Sequence, residues 1–250
     1  MNTLSTILSK TIDAALALFY PHPCDVCGGS VETRFDGCAC RFCWESTSIF
    51  TLSEHVCGKC GQPLEAGTPV FAGRANCGRC TELNFDSARA CGIYEKALRA
   101  SVLRLKNEPN VSPAVSRLMV SNVRQHPLSD ATLVLAVPLH EKRLAERGFN
   151  QADALAQTLS KTTGLPYFSE VIVRTQHSER HRAGMDAQSR HKSVKNVFEV
   201  RKPRLIEDCS VLLVDDVFTT GATVSECARV LKTSGAAAVH VLTLARPSVP

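Results

Sequence analysis

The sequence predicts an α/β fold built on a parallel sheet, preceded by a small cysteine-rich module. Three observations carry this. From about residue 85 onward, apolar β-branched runs that read as strands alternate with helical periodicity. The stretch before it is crowded with Cys and Gly and poor in long apolar runs, so it buries little surface and needs a covalent or metal staple. The chain has 250 residues, 44% hydrophobic and 21% charged, enough for one sizeable core with a small satellite. The zones divide at 1–21, 22–84 and 85–250.

Met1–Tyr20 has the spacing of an amphipathic helix, with Leu4, Ile7, Leu8, Ile12, Ala15, Leu16 and Phe19 on one face. Its start carries no basic cluster, and Lys10 and Asp13 interrupt the apolar run. It fails as a secretory leader and is too short and too polar to span a bilayer. Packing on the rest of the protein is its plain role, with a membrane or partner contact as the other reading. The expected compartment is the cytoplasm. Pro21 and Pro23 close the helix.

Most of the 12 cysteines lie between Cys24 and Cys80. They form Cys24-x-x-Cys27, Cys40-x-x-Cys43, Cys57-x-x-Cys60 and Cys77-x-x-Cys80. A two-residue gap lets a tight turn aim both thiolates at one metal, and two such knuckles complete the tetrahedral thiolate set that zinc accepts. Four knuckles make two zinc sites, paired in sequence order, although spacing alone also permits a crossed pairing. Four sulfur ligands leave no open position, so the zincs read as structural. Cys38 is a spare that competes with Cys40 as ligand, at the wrong spacing from Cys43. Cys91, Cys209 and Cys227 fall in strand or helix patterns and read as buried and inert. Arg34, Arg41, Lys59, Arg74 and Arg79 are either a nucleic-acid face of the ribbon or solvated surface.

In the third zone Arg89–Tyr94 reads as a strand, and Glu95–Lys106 and Val111–His126 as helices. Ala131–Val137 reads as a buried strand stopped by Pro138, Gln151–Thr162 as a helix stopped by Gly164-Leu165-Pro166, and Val171–Val173 as a short strand. Val211–Val214, Thr223–Thr233 and Val239–Leu244 complete the alternation as strand, helix and strand.

The sharpest segment joins the first two of these. A buried strand ends in Asp215 and Asp216, and the loop Val217, Phe218, Thr219, Thr220, Gly221, Ala222, Thr223 opens a helix. A phosphate there meets free backbone N–H groups and the positive end of the helix dipole. The threonines add hydroxyl donors, and Gly221 lets the backbone approach closely. The acid pair repels phosphate but accepts hydrogen bonds from vicinal hydroxyls, as on a ribose, or holds Mg²⁺ through water. Ordinary helix capping is the bland alternative. The segment lacks the Gly-Lys-Ser/Thr of a P-loop and the GxGxxG of a dinucleotide site.

His140, Lys142, Arg143 and Arg147 follow the strand that ends at Val137, at the sheet edge where α/β ligands bind. They suit a departing diphosphate, or Lys142 and Arg143 are the exposed face of a helix start. Asn150 stands where it caps the next helix. Arg174–Arg204 is rich in Lys, Arg and His with few acids. It reads as a hood over the ligand, as a track for a nucleic-acid backbone, or as a solvated loop.

The loop resembles the signature of type I phosphoribosyltransferases, and the wider chain resembles the ComF/GntX family of competence proteins. The resemblance rests on the four knuckles, Tyr94…Leu103-Arg104-Leu105-Lys106, Val137-Pro138-Leu139…Arg147-Gly148-Phe149-Asn150-Gln151, Asn196-Val197-Phe198 and the phosphate loop, and covers almost the whole chain. It implies a type I phosphoribosyltransferase-like fold behind a double zinc ribbon. It implies that Asp215 and Asp216 take the ribose hydroxyls of a Mg²⁺-bound phosphoribosyl diphosphate and Val217–Thr223 its 5-phosphate. The diphosphate falls to the loop from Pro138 and Leu139 to Lys142. It also implies a role in handling single-stranded DNA during natural transformation. The chain departs from the family at Arg182, where relatives carry Gln, and at Ser193, where Asn is common. Three functions compete: a diphosphate-binding protein of DNA uptake, an active phosphoribosyltransferase of unknown acceptor, and a scaffold for the uptake machinery.

Overall fold

The structure, a computed structural model, describes residues 22–50, 56–64, 70–71, 74–75, 77–78, 80–176 and 196–248. The helix expected over Met1–Tyr20, together with Arg79, Arg182 and Ser193, lies outside the described residues. The described elements, in chain order, begin with helix α1 (Arg41–Glu45), the hairpin of β1 (Val70–Phe71) and β2 (Arg74–Ala75), strand β3 (Ser87–Ala90), and helices α2 (Lys96–Leu105) and α3 (Pro113–Val123). Strand β4 (Leu133–Ala136), helices α4 (Glu141–Arg147) and α5 (Gln151–Thr163), and strands β5 (Ile172–Arg174), β6 (Phe198–Val200) and β7 (Ser210–Val217) follow. Helix α6 (Ala222–Thr233) and strand β8 (Ala238–Ala245) complete the set.

Four strands form a parallel sheet in the order β3–β8–β7–β4. Their near-continuous apolar runs are what a sheet covered on both faces requires. Alternation then sorts the side chains. Leu133, Leu135, Val211, Leu213, Val239 and Val241 go to one face. Val134, Ala136, Leu212, Val214, Leu242 and Leu244 go to the other. The first face is covered by α6, through Val224, Cys227, Ala228 and Leu231, and by Phe85 and Ile206. The second is covered by α2, α3 and α5, through Leu98, Val102, Met119, Leu155 and Leu159. Each such buried aliphatic side chain contributes about 1.5–3 kcal/mol. A charge placed at Leu212 or Leu213, both fully enclosed, would find no partner.

The helix boundaries have local causes. Ser112 caps α3, its side chain accepting from the Val115 N–H, and Pro113 occupies the first turn where no N–H is needed. Asn150 caps α5 by accepting from the Ala152 N–H, and Gly164, left-handed at φ 81°, ends it.

Several expectations shift: the strand expected at Arg89–Tyr94 forms earlier, as β3, and Cys209, expected buried, is only half-buried. The strand expected at Val171–Val173 forms as β5, but it pairs antiparallel with β6, outside the parallel sheet. The strand expected to stop at Val214 runs on to Val217, because Asp215 still pairs with Thr243 and Val217 with Ala245. Among the described residues, no helix is long and apolar enough to cross a membrane.

Candidate functional site

The paired carboxylates lie just before the last residue of β7, one of the two central strands, at the C-terminal edge of the sheet. Asp215 continues the alternation toward the α6 face, and the Asp216 N–H donates to Asp215 Oδ1 at 2.9 Å. Burial and the neighbouring Asp216 charge push the Asp215 carboxyl well above the usual range. The structure therefore holds a costly acid pair where a cation or hydroxyl donors would relieve it.

Gly221 is the N-cap of α6 at φ 78°. A Cβ there would lie 2.7 Å from Phe218 Cζ and 3.1 Å from Leu83 Cδ1, so only glycine fits. Its carbonyl accepts from the Ser225 N–H at 2.8 Å. By position the N–H groups of Thr223 and Val224 have no helix carbonyl to meet. Thr219 is exposed, Thr220 and Thr223 half-buried. Phe218 and Ala222 turn inward instead. Phe218 stands edge-on to Phe85 at 5.9 Å, and its N–H is committed to Ala245 O at 2.9 Å. Within Val217–Thr223 these two and the buried Gly221 shape the loop, while the threonines keep partial or full exposure.

Beyond β4 a short loop, residues 137–140, leads into α4 at Glu141, so Lys142, Arg143 and Arg147 lie on a helix. His140 caps α4, accepting from the Lys142 N–H at 3.2 Å, and Gly148 at φ 80° ends it. No residue of α4 is buried. Arg143 and Arg147 line an open 620 Å³ cleft with Lys106, Asn107 and Glu146, whereas Pro138 and Leu139 line a separate 270 Å³ cavity beside Tyr167 and Arg174. Of the residues expected to share the diphosphate, Arg143 and Arg147 thus line one hollow and Pro138 and Leu139 another, while His140 and Lys142 line neither. A residue left out of the expected site joins Arg147 to the acid pair. Gln151 Nε2 donates to Asp216 Oδ2 at 3.0 Å, and Gln151 Oε1 accepts from Arg147 Nη1. The adjacent Asn150 donates from Nδ2 to Val137 O at 3.0 Å, pinning the end of β4. The Arg-Gly-Phe-Asn-Gln string was the signal for Gln151. Its partner, 65 positions away, was not visible in sequence.

The cysteines gather into two tetrads, Cys24–Cys27–Cys40–Cys43 and Cys57–Cys60–Cys77–Cys80, each with its sulfurs within 4.8 Å of one another. The pairing is sequential. Sulfur separations of 3.8 Å for Cys27–Cys40, 3.6 Å for Cys57–Cys80 and 3.5 Å for Cys60–Cys77 approach the edge of about 3.8 Å of a tetrahedron with zinc–sulfur bonds of about 2.3 Å. No disulfide joins any of the described cysteines. Gly28 and Gly61, at φ 76° and 65°, close the first and third knuckles by donating to Cys24 O and Cys57 O. Burial works against ionisation of Cys24, but N–H groups of Cys40, Cys27 and Val26 outweigh it and lower the thiol to about 6. The donor set fits structural zinc. Cys38 belongs to neither tetrad: it is 3% exposed, with Sγ 3.6 Å from Ser101 Oγ of α2.

Two family descriptions match the chain, a double zinc ribbon domain over residues 15–81 and a phosphoribosyl transferase domain over residues 144–249. Sheet, acid pair and tetrads together define a protein of phosphoribosyltransferase-like fold behind a double zinc ribbon. Competence protein F of Haemophilus influenzae (strain ATCC 51907 / DSM 11121 / KW20 / Rd) is 30% identical over 237 residues, 91% of this chain and 98% of that protein. The DNA utilization protein YhgH of Escherichia coli O157:H7 is 32% identical over 221 residues, 82% of this chain and 96% of that protein. The chain belongs to the competence protein F (ComF) family. Among solved structures, an adenine phosphoribosyltransferase from Leishmania tarentolae is similar at a TM-score of 0.35 and 15% identity, over 60% of this chain and 74% of that one.

Proposed function

We propose that this protein binds Mg²⁺-phosphoribosyl diphosphate at the end of β7 and acts in DNA uptake, handling single-stranded DNA beside partners of the uptake machinery. The observation that carries the reading is the acid pair near the end of a central parallel strand, followed by a short loop into a helix opened by Gly221. Phosphate suits the helix start, and ribose hydroxyls or hydrated Mg²⁺ suit Asp215 and Asp216. Arg147, oriented through Gln151, supplies positive charge toward the same carboxylates and the diphosphate beside them. The DNA role comes from the relatives, one a competence protein and others named for DNA utilization. Zinc at the two tetrads supplies folding energy rather than chemistry.

Titration calorimetry with phosphoribosyl diphosphate and Mg²⁺, with Asp216→Asn as control, tests the ligand. Saturable heat abolished by the substitution supports the site, and no heat at several temperatures sinks it. Single-strand binding that weakens steeply with salt and falls on charge reversal at Arg201 and Arg204 supports the DNA role. Release of pyrophosphate in the presence of an acceptor would mark the protein as an active transferase.

A further inference from the structure

We propose that Arg246 is a positioning residue that ties the second cysteine tetrad to the phosphate loop, so that metal held by Cys57, Cys60, Cys77 and Cys80 sets the order of that loop. The proposal rests on reading Val217–Thr223 as a phosphate grip only for its effect on ligand affinity.

Arg246 follows β8 and is 5% exposed. Its Nη1 donates to Cys60 O at 2.8 Å, and its Nη2 to Gln62 Oε1. Its guanidinium lies over the Phe218 ring, 5.3 Å from the centroid. Among the described residues Nε has no hydrogen-bond partner, and the carbonyl, the amide and the nearby sulfurs of Cys57, Cys60 and Cys77 sustain a buried cation.

Both ends of this bridge are stiff. On one side, Gln62 and Cys60 belong to a knuckle closed by Cys57 N–H to Gln62 O at 2.7 Å and Gly61 N–H to Cys57 O at 2.9 Å. Metal fixes that turn, and four thiolates on a dication leave a net negative charge that the guanidinium offsets. On the other side, Phe218 is wedged against Phe85 and fills the space that a Cβ on Gly221 would need. The sulfurs of the second tetrad, Phe85, Phe218 and Ala222 form one continuous buried cluster. A loosened knuckle removes the carbonyl and the counter-charge beneath Arg246. The Phe218 ring then loses its lid, and Gly221 loses the wall that sets its left-handed turn. The first tetrad packs elsewhere, with Ala97 of α2.

The test uses the full chain in four forms besides the natural one: Arg246→Gln, Phe218→Leu, Cys57→Ser with Cys60→Ser, and Cys24→Ser with Cys27→Ser. Three quantities are read: zinc per chain, amide hydrogen exchange across residues 218–224, and the Kd for Mg²⁺-phosphoribosyl diphosphate. Arg246→Gln and Phe218→Leu are expected to keep both zincs while exchange in 218–224 rises, and affinity falls, about tenfold. The Cys57/Cys60 variant should match them with one zinc fewer. The Cys24/Cys27 variant should lose one zinc and leave exchange in 218–224 unchanged. If Arg246→Gln fails to fold, Arg246→Lys, which keeps the charge without the fork, replaces it. Unchanged exchange in 218–224 in both the Arg246 and Cys57/Cys60 variants overturns the proposal. Absence of ligand binding by the natural protein, with the exchange pattern as expected, overturns the phosphate reading and leaves the coupling standing.

Discussion

Replacing Gly221 by alanine probes the loop between β7 and α6 at its tightest point. Two costs add. A residue with a Cβ at φ 78° gives up about 1–2 kcal/mol to the left-handed backbone. The new methyl would also lie 2.7 Å from Phe218 Cζ and 3.1 Å from Leu83 Cδ1. The ring cannot swing aside freely, because Phe85 and Arg246 flank it, so overpacking adds about 1–3 kcal/mol. The sum is about 2–5 kcal/mol. Gly164→Ala supplies the reference. Gly164 has almost the same φ, 81°, and nothing within 4 Å of a built Cβ, so it carries the backbone cost alone. Stiffening of the unfolded chain is common to both and cancels. Guanidinium denaturation of the zinc-loaded protein, followed by far-ultraviolet circular dichroism, gives the difference from midpoints at constant slope. A Gly221→Ala variant that loses no more stability than Gly164→Ala refutes the close-packed picture of the loop.

Three further outcomes follow from the same geometry. Asp215, whose carboxyl is raised by burial and by Asp216, binds its proton more tightly folded than unfolded. Its contribution is fully present below the ordinary value of 3.8 and is lost as pH rises through the folded value. Asp215→Asn should therefore be more stable than the natural protein at pH 7 and show a flatter profile above pH 3.8; equal midpoints at pH 7 would count against it. Cys38→Ser should retain both zincs by metal analysis, since Cys38 faces Ser101 rather than either tetrad; loss of one zinc would reassign it as a ligand. Gln151→Ala, which unlinks Arg147 from Asp216, should weaken calorimetric binding of Mg²⁺-phosphoribosyl diphosphate by about 1–3 kcal/mol, whereas unchanged affinity would make the contact incidental.

Local signals in the sequence survive well in the structure, and through-space ones do not appear in it. The run Ala131–Val137 announces β4 because a strand buried on both faces must be apolar at every position. The knuckles announce their own tetrads because two-residue spacing constrains both thiolates at once. Asn150 is legible as a cap because capping acts over two residues. The end of β7 was misplaced because charge in Asp215 and Asp216 suggests a loop, whereas pairing with β8 decides. The packing of Phe218 on Phe85 was not legible, because nothing nearby in sequence places Phe85 beside it. Arg246 reaches Cys60 across 186 positions, and no periodicity or motif encodes such a contact.

The insertion of β8 between β3 and β7 also orders the molecule's assembly in time. Ser87 pairs with His240, and Phe218 gives its N–H to Ala245. During synthesis the eight metal-ligating cysteines are all complete once Cys80 has emerged, long before either pairing can form. Metal uptake can therefore precede the sheet, while β3 and β7 wait with open edges for the strand that joins them. The loop after Asp216, made before β8 yet anchored to Ala245 and Arg246, is finished only when the last strand threads home. A nascent chain stalled near Ala236 would thus carry its zinc ribbons while the loop after Asp216 still lacked its anchors at Ala245 and Arg246.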